Sequence, residues 1–533
     1  MKSQPHTFSR RKLLNLLGAT LGTGAVVQAS SALGLMPITM ALALPEVAPL
    51  PAGQSKTVAI LGGGISGLTA MYELEKAGYD CVLLEASHRL GGRNLTLRSG
   101  DIVDEIGNVQ VCEFDNEPHM YFNAGPARIP STHRYFLHYC KELGVELEMF
   151  INENKEAYYQ DDAFNGGKPV RNAVLTTTVR GFVAELMAKS LTRVEMDLPF
   201  SESEAERLLG VIRSFGDLDT EMKFKGSSRV GYVSGGFMEH GVYRELMTLQ
   251  EVLKTRYVGS ALSANEGETG PMLFQPAGGM DGIVKGFARK LRGPVHLNAG
   301  VTSLQVDGEG VGITYNQKGS RETLRADFCV NCIPSHLLAG ITNNFPAEYL
   351  TALRYVQRGE AYKSAFQAKR RFWEDEDIYG GISFTNQPIS QIWYPSHGIH
   401  KEKGVMLSAY NFGGGMGLTQ LSQEERIEAA LAQGEKIHPD YRKHVEKGVT
   451  VGWHRMNHML GCAARWGRSA GGLTAEEEHM MHTLQQGVVD RHYLVGDQVT
   501  LHAGWQESAI VSAHRAVAAI SKAVNPAAAG ATV

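Results

Sequence analysis

Gly62, Gly64, Gly67 and Glu85 are the first residues whose types and spacing suggest chemistry. The glycines form G-x-G-x-x-G within Gly62-Gly63-Gly64-Ile65-Ser66-Gly67, and Glu85 follows 18 residues after the last of them. The first glycine permits a tight turn, the second lets backbone come close to a pyrophosphate, and the third lets a helix pack against a sheet. A helix that opens at Ile65 and Ser66 directs unpaired N–H groups and a positive dipole end at phosphate oxygens. An acid at Glu85, followed by Ala86, can accept hydrogen bonds from ribose hydroxyls. The pattern therefore predicts a dinucleotide cradle.

The flanking residues predict the elements that hold this cradle. Thr57-Val58-Ala59-Ile60-Leu61 is a short β-branched and aliphatic run suited to a buried parallel strand. A helix from Ile65 to about Ala77 would place Ile65, Leu68 and Tyr72 on one face, with Gly78 as its stop. Cys81-Val82-Leu83-Leu84 reads as the second strand and delivers Glu85 at its end.

The chain of 533 residues is too long for one simple core, so two or three structural units are expected. It is 43% hydrophobic and 20% charged, with a formal net charge of −4. This balance gives no footprint for nucleic acid. Residues 1–44 read as a twin-arginine signal: Arg10-Arg11 precede a Gly/Ala-rich run of mild apolarity. The expected partner of that segment is the twin-arginine export machinery, and the expected destination is the periplasm or the exterior. Small residues and Pro37 dilute the apolar stretches, so no stable membrane span is expected. Cys329 and Cys332 have C-x-x-C spacing, but no second pair accompanies them, and Phe328-to-Ile333 reads as a buried strand.

Glu85-Ala86-Ser87-His88-Arg89-Leu90-Gly91-Gly92-Arg93 resembles the segment after the ribose acid in the flavin amine oxidase family. Near the other end, Gly496-Asp497 and Gly504-Trp505-Gln506-Glu507-Ser508-Ala509 resemble that family's closing flavin segment. The resemblance implies FAD as cofactor. It implies that Arg93 supports the flavin, that Gly496 and Asp497 approach the cofactor chain, and that Val301 meets the adenine end. The helix beginning near Gln506 would direct its dipole at the flavin pyrimidine. Because these blocks lie more than 400 residues apart, the cofactor domain must be discontinuous. The implied fold class is α/β: a discontinuous Rossmann-like FAD domain, a mixed-sheet substrate domain and a helical insertion. The expected divisions are 52–128, 270–335 and 485–526 for the FAD domain, 129–251 for the helical insertion with the access route, and 336–470 for the substrate domain.

Gly125-Pro126-Ala127-Arg128-Ile129-Pro130 resembles the element of L-amino acid oxidases in which the glycine backbone meets the flavin and the arginine clamps the substrate carboxylate. A planar guanidinium suits that task because it can pair bidentately with a carboxylate. By the same resemblance Tyr394, in Trp393-Tyr394-Pro395, offers its hydroxyl to the carboxylate. Lys363 matches the lysine that holds a water beside the flavin, Trp453 and Trp505 form aromatic walls, and the carbonyl of Gly504 receives the substrate amine. The implied reaction is oxidation of an L-amino acid with O2, giving a 2-oxo acid, ammonia and hydrogen peroxide. Homodimerisation is a further implication of the family. An amine or polyamine oxidase, an amino acid 2-monooxygenase and a flavin dehydrogenase using another acceptor remain open alternatives.

Overall fold

The computed structural model describes residues 44, 47–191, 201–263, 267–413, 416–467 and 472–526. The twin-arginine pair and the apolar run after it lie outside these residues.

Aliphatic runs too short for a helix, each bounded by a turn, form the central parallel sheet. Its order is Val295–His296, Asp80–Leu84, Thr57–Leu61, Phe328–Asn331, His492–Leu494, with every pairing parallel. The strands therefore come from three distant parts of the chain, as a discontinuous Rossmann-like domain requires. Helices Ile65–Lys76 and Gln506–Val524 cover one face. The apolar stripe Ile510, Ala513, Val517 and Ile520 is completely buried in the same cluster as Leu68, Met71 and Leu74. Full burial of such a valine or isoleucine contributes about 1.5–3 kcal/mol, so this stripe docks the late helix against the early one.

A seven-stranded mixed sheet forms the second layer, in the order Val170–Arg171, Tyr158–Gln160, Ile382–Thr385, Gln391–Trp393, Gly404–Phe412, Ala361–Ala368, Val445–Gly452. Three helices, Arg134–Glu142, Asn172–Leu191 and Glu202–Gly216, fall in the expected helical insertion. Its early part is not helical throughout. Tyr158–Gln160 and Val170–Arg171 join the seven-stranded sheet, and Leu147–Met149 joins a three-stranded one with Leu273–Pro276 and Ile129–Pro130. Among the described residues no helix is long and apolar enough to cross a membrane.

Candidate active site between the parallel and the mixed sheet

The glycine motif divides its labour as the spacing predicts. Gly62 adopts φ +100, a conformation that L side chains rarely adopt, and a Cβ on Gly67 would lie 2.1 Å from the Gly62 carbonyl oxygen. A Cβ on Gly64 would meet nothing within 4 Å, and Gly64 lines a cavity of about 910 Å³. The helix that begins at Ile65 has no side-chain cap and no acid in its first turn, so its N–H groups remain available to an anion. Glu85 Oε2 accepts from Gly63 N at 2.7 Å and Oε1 from Ser87 N at 2.8 Å, which locks the acid at the cavity wall. Ile65, Ser66, Ala86 and Val301 line the same cavity, whereas Gly67 faces the sheet.

The cavity is also lined by Asp497. Arg93 donates to it through both terminal nitrogens, at 2.6 and 3.0 Å, and Ala464 N and Gly504 N each donate at 3.1 Å. Burial alone would raise the Asp497 carboxyl. Arg93, then Arg358 and the Ala464 N–H, outweigh it and hold the group well below the usual carboxylate range. Asp497 thus ties three distant segments together. Gly496, Gly504, Trp505, Gln506 and Ala509 line the cavity, but Glu507 and Ser508 do not. Glu507 turns away to cap another helix, accepting from Tyr135 N at 2.9 Å and Phe136 N at 2.8 Å, and Ser508 donates to the His502 carbonyl at 2.5 Å. One helical turn cannot direct every side chain to one face.

The third wall comes from the 125–128 segment. Gly125 is packed so tightly that a Cβ would sit 2.0 Å from the Arg93 carbonyl oxygen. Pro126, Ala127 and Arg128 follow along the cavity, and pairing of Ile129 with Phe274 and Pro130 with Leu273 fixes the segment's direction. The Arg128 guanidinium donates to Asn152 Oδ1 at 2.6 Å and lies 4.9 Å from the Trp393 ring centre. Burial lowers its pKa. Tyr410 opposes this shift, and among the described residues no carboxylate contributes. Lys363 is 2% exposed, and its Nζ donates to the carbonyls of Asn123 at 3.1 Å and Gly125 at 2.5 Å. Burial pulls it down to about 7. Cys462 works against that shift and Arg128 adds to it.

Tyr394 requires a correction. It does not line this cavity: its hydroxyl lies 2.7 Å from Ser383 Oγ and 2.7 Å from His438 Nε2, in a buried polar chain behind the sheet. Successive residues of an extended segment point to opposite faces, so it is Trp393 that reaches the cavity. Tyr410 lines it as well, directly opposite Lys363 in the strand register, with its ring 4.4 Å from Nζ. Sequence reading missed Tyr410 because only strand pairing brings it beside Lys363. Trp453 closes the wall, donating to the Ala124 carbonyl at 2.9 Å. Cys332 lines the cavity while Cys329 is fully buried in its strand, and neither forms a disulfide.

The sequence profile of the family described as flavin containing amine oxidoreductase matches residues 65–521. The chain belongs to this family. It is 27% identical over 498 residues to the flavin-dependent L-tryptophan oxidase RebO of Lentzea aerocolonigenes, covering 87% of this chain and 98% of that protein. It is also 27% identical over 489 residues to an L-amino acid oxidase of Bothrops pictus, covering 88% of this chain and 90% of that one. Among solved structures it is similar in fold to putrescine oxidase with putrescine bound (TM-score 0.56, 19% identity, 87% and 98% coverage). It is similarly close to cyclohexylamine oxidase from Brevibacterium oxydans (TM-score 0.57, 16% identity, 88% and 99% coverage). The flavin of such an enzyme fits the residues present. Gly64 leaves space for a close ligand, the Ile65 helix end is uncapped, and one continuous cavity joins Val301, Ser66, Arg93 and Lys363.

Proposed function

We propose that this flavin amine oxidase is an FAD-dependent L-amino acid oxidase. The observation that carries the reading is Arg128: a cavity-lining guanidinium that has no acidic counter-charge among the described residues. A buried cation is costly unless paired, so such a group favours a substrate that brings its own carboxylate. A plain alkylammonium ion brings no carboxylate and would be repelled by it. When bound, the flavin supplies the hydride acceptor and the site at which O2 takes up the electrons. The chain does the rest. Arg128 binds the carboxylate, and the Trp393 ring supports its guanidinium. The Gly504 carbonyl receives an amine N–H, so that Cα is oriented by two fixed points. Lys363, close to neutral pH in its protonation, holds a water or a proton beside the carbonyls of Asn123 and Gly125. The imino acid released from the site hydrolyses to the 2-oxo acid and ammonia.

Peroxide formation measured across the L-amino acids, with D-isomers and the matching decarboxylated amines as controls, tests the reading. Turnover of L-amino acids alone is expected. Turnover of the amines with no response to any amino acid would sink the assignment. An amide product without stoichiometric peroxide would make the protein a monooxygenase.

A further inference from the structure

Arg358 has no marking motif and no part in the chemistry described above, yet it lines the cavity. Its side chain is 7% exposed, and its Nε is buried without a hydrogen-bond partner among the described residues. The terminal nitrogens are held in place. Nη2 donates to Gln498 Oε1, and Nη1 lies 3.4 Å from both Asp497 Oδ1 and the Cys462 carbonyl oxygen. Gln498 is itself fixed, accepting from Ser335 N at 2.8 Å and donating to the carbonyls of Val495 at 2.9 Å and Ile333 at 3.1 Å. The guanidinium is therefore positioned in advance rather than left to find a partner.

Its charge is only partly balanced by the protein. Asp497 is already paired with Arg93 at 2.6 and 3.0 Å, so Arg358 receives only the long remainder of that carboxylate. Burial pulls Arg358 down to about 10. Asp497 opposes this and Arg93 adds to it. The cavity lining carries Arg93, Arg128, Arg358 and Lys363 against Glu85 and Asp497. An excess of buried cations beside an unpartnered N–H calls for an anion from outside the chain. The position suits a phosphate. Asp497 and Gln498 directly follow Gly496, whose Cβ position lies 3.9 Å from Ser66 Oγ at the uncapped helix end.

We propose that Arg358 is a phosphate-binding residue, pinned by Asp497 and Gln498 so that its guanidinium contacts the diphosphate of the flavin nucleotide. This rests on the reading of the cofactor as FAD. It gives the diphosphate a side-chain cation in addition to the backbone N–H groups of the glycine turn. It also couples cofactor retention to the Asp497 junction, through a residue lying outside every cofactor block of the sequence.

The test uses full-length protein stripped of flavin, titrated with FAD, ADP and riboflavin. Calorimetry follows ADP, and flavin fluorescence follows the other two. Arg358→Met is expected to weaken FAD and ADP alike, on the order of 10- to 100-fold, while riboflavin binding stays unchanged. Arg358→Lys, which keeps the charge but loses the fork, should recover part of the loss. Unchanged ADP binding would overturn the proposal, and so would equal weakening of all three ligands, which marks a purely structural role. Should Arg358→Met fail to fold, the decision passes to Arg358→Lys. A lower temperature of flavin release from its holoenzyme, with ADP weakened and riboflavin unchanged, supports the proposal, and an unchanged release temperature overturns it. The mass of the flavin released from wild type separates the two claims. FMN would sink the cofactor reading and this proposal with it, whereas FAD with unchanged ADP binding sinks this proposal alone.

Discussion

Arg128 sits over Trp393, its guanidinium carbon 4.9 Å from the indole centre, while Asn152 Oδ1 accepts one of its N–H groups at 2.6 Å. The cation–π contact and the Asn152 hydrogen bond hold the guanidinium at the cavity wall. Arg128→Met should therefore lower kcat/KM for L-amino acids by about 100- to 4000-fold, the scale of about 3–5 kcal/mol for breaking a buried charge pair. Turnover of the decarboxylated amine should hold or rise. Steady-state peroxide assays on both substrates check this, and an equal loss on both would refute the assignment.

Tyr394 and Tyr410 separate structure from function. Tyr394→Phe removes the partner of buried His438 Nε2 and one of the two contacts of Ser383 Oγ, so it should cost about 1–3 kcal/mol of stability with KM unchanged. Tyr410→Phe removes a hydroxyl from a cavity-lining ring and should raise KM several-fold with little change in unfolding. Denaturant titration beside steady-state kinetics distinguishes the two.

Lys363 gives a pH signature with a definite sign. Its folded pKa, about 7, lies below the ordinary lysine value near 10.5, so between those limits the unfolded chain binds more protons. Wild-type stability should therefore rise with pH across this window, by up to about 1.4 kcal/mol per unit from this group. Below pH 7, where the buried lysine is charged, Lys363→Met should be the more stable protein, and its advantage should shrink toward pH 10. Melting temperatures of both proteins from pH 6 to 10 decide it; a constant difference would contradict the buried, depressed lysine.

Gly64→Ala and Gly67→Ala differ by one methyl each and should fail differently. At Gly64 the methyl enters open cavity, so the protein should fold and lose flavin. At Gly67 it would meet the Gly62 carbonyl oxygen at 2.1 Å, so folding itself should suffer. Soluble yield and the ratio of flavin to protein absorbance report the two outcomes.

Asp497→Asn removes the carboxylate that Arg93 and Arg358 share. The buried Arg358 and the partly buried Arg93 would then lose the carboxylate they face, and a loss of about 3–5 kcal/mol is expected. A fall in melting temperature far larger than that of a surface Asp→Asn control would bear this out.

The glycine turn, its strand and helix, and the acid at Glu85 were legible in the sequence because their interactions are local. Each contact spans a few residues, and backbone geometry sets the side-chain requirement. The C-terminal helix was legible for a similar reason: Ile510, Ala513, Val517 and Ile520 recur at helical spacing, and all four are buried. Facing could not be read so well. A shift of one residue in an extended segment reverses its face, which is why Trp393 and not Tyr394 reaches the cavity. Glu507 turned outward because a first-turn acid can cap a neighbouring helix end as readily as face a ligand. Tyr410 and Arg358 were decided by the tertiary structure alone. One stands beside Lys363 through strand pairing, and the other meets Asp497 across 139 residues. Local physics wrote the cofactor turn into a short stretch of chain, but the burial and charge balance of the reactive end exist only once distant segments share one cavity.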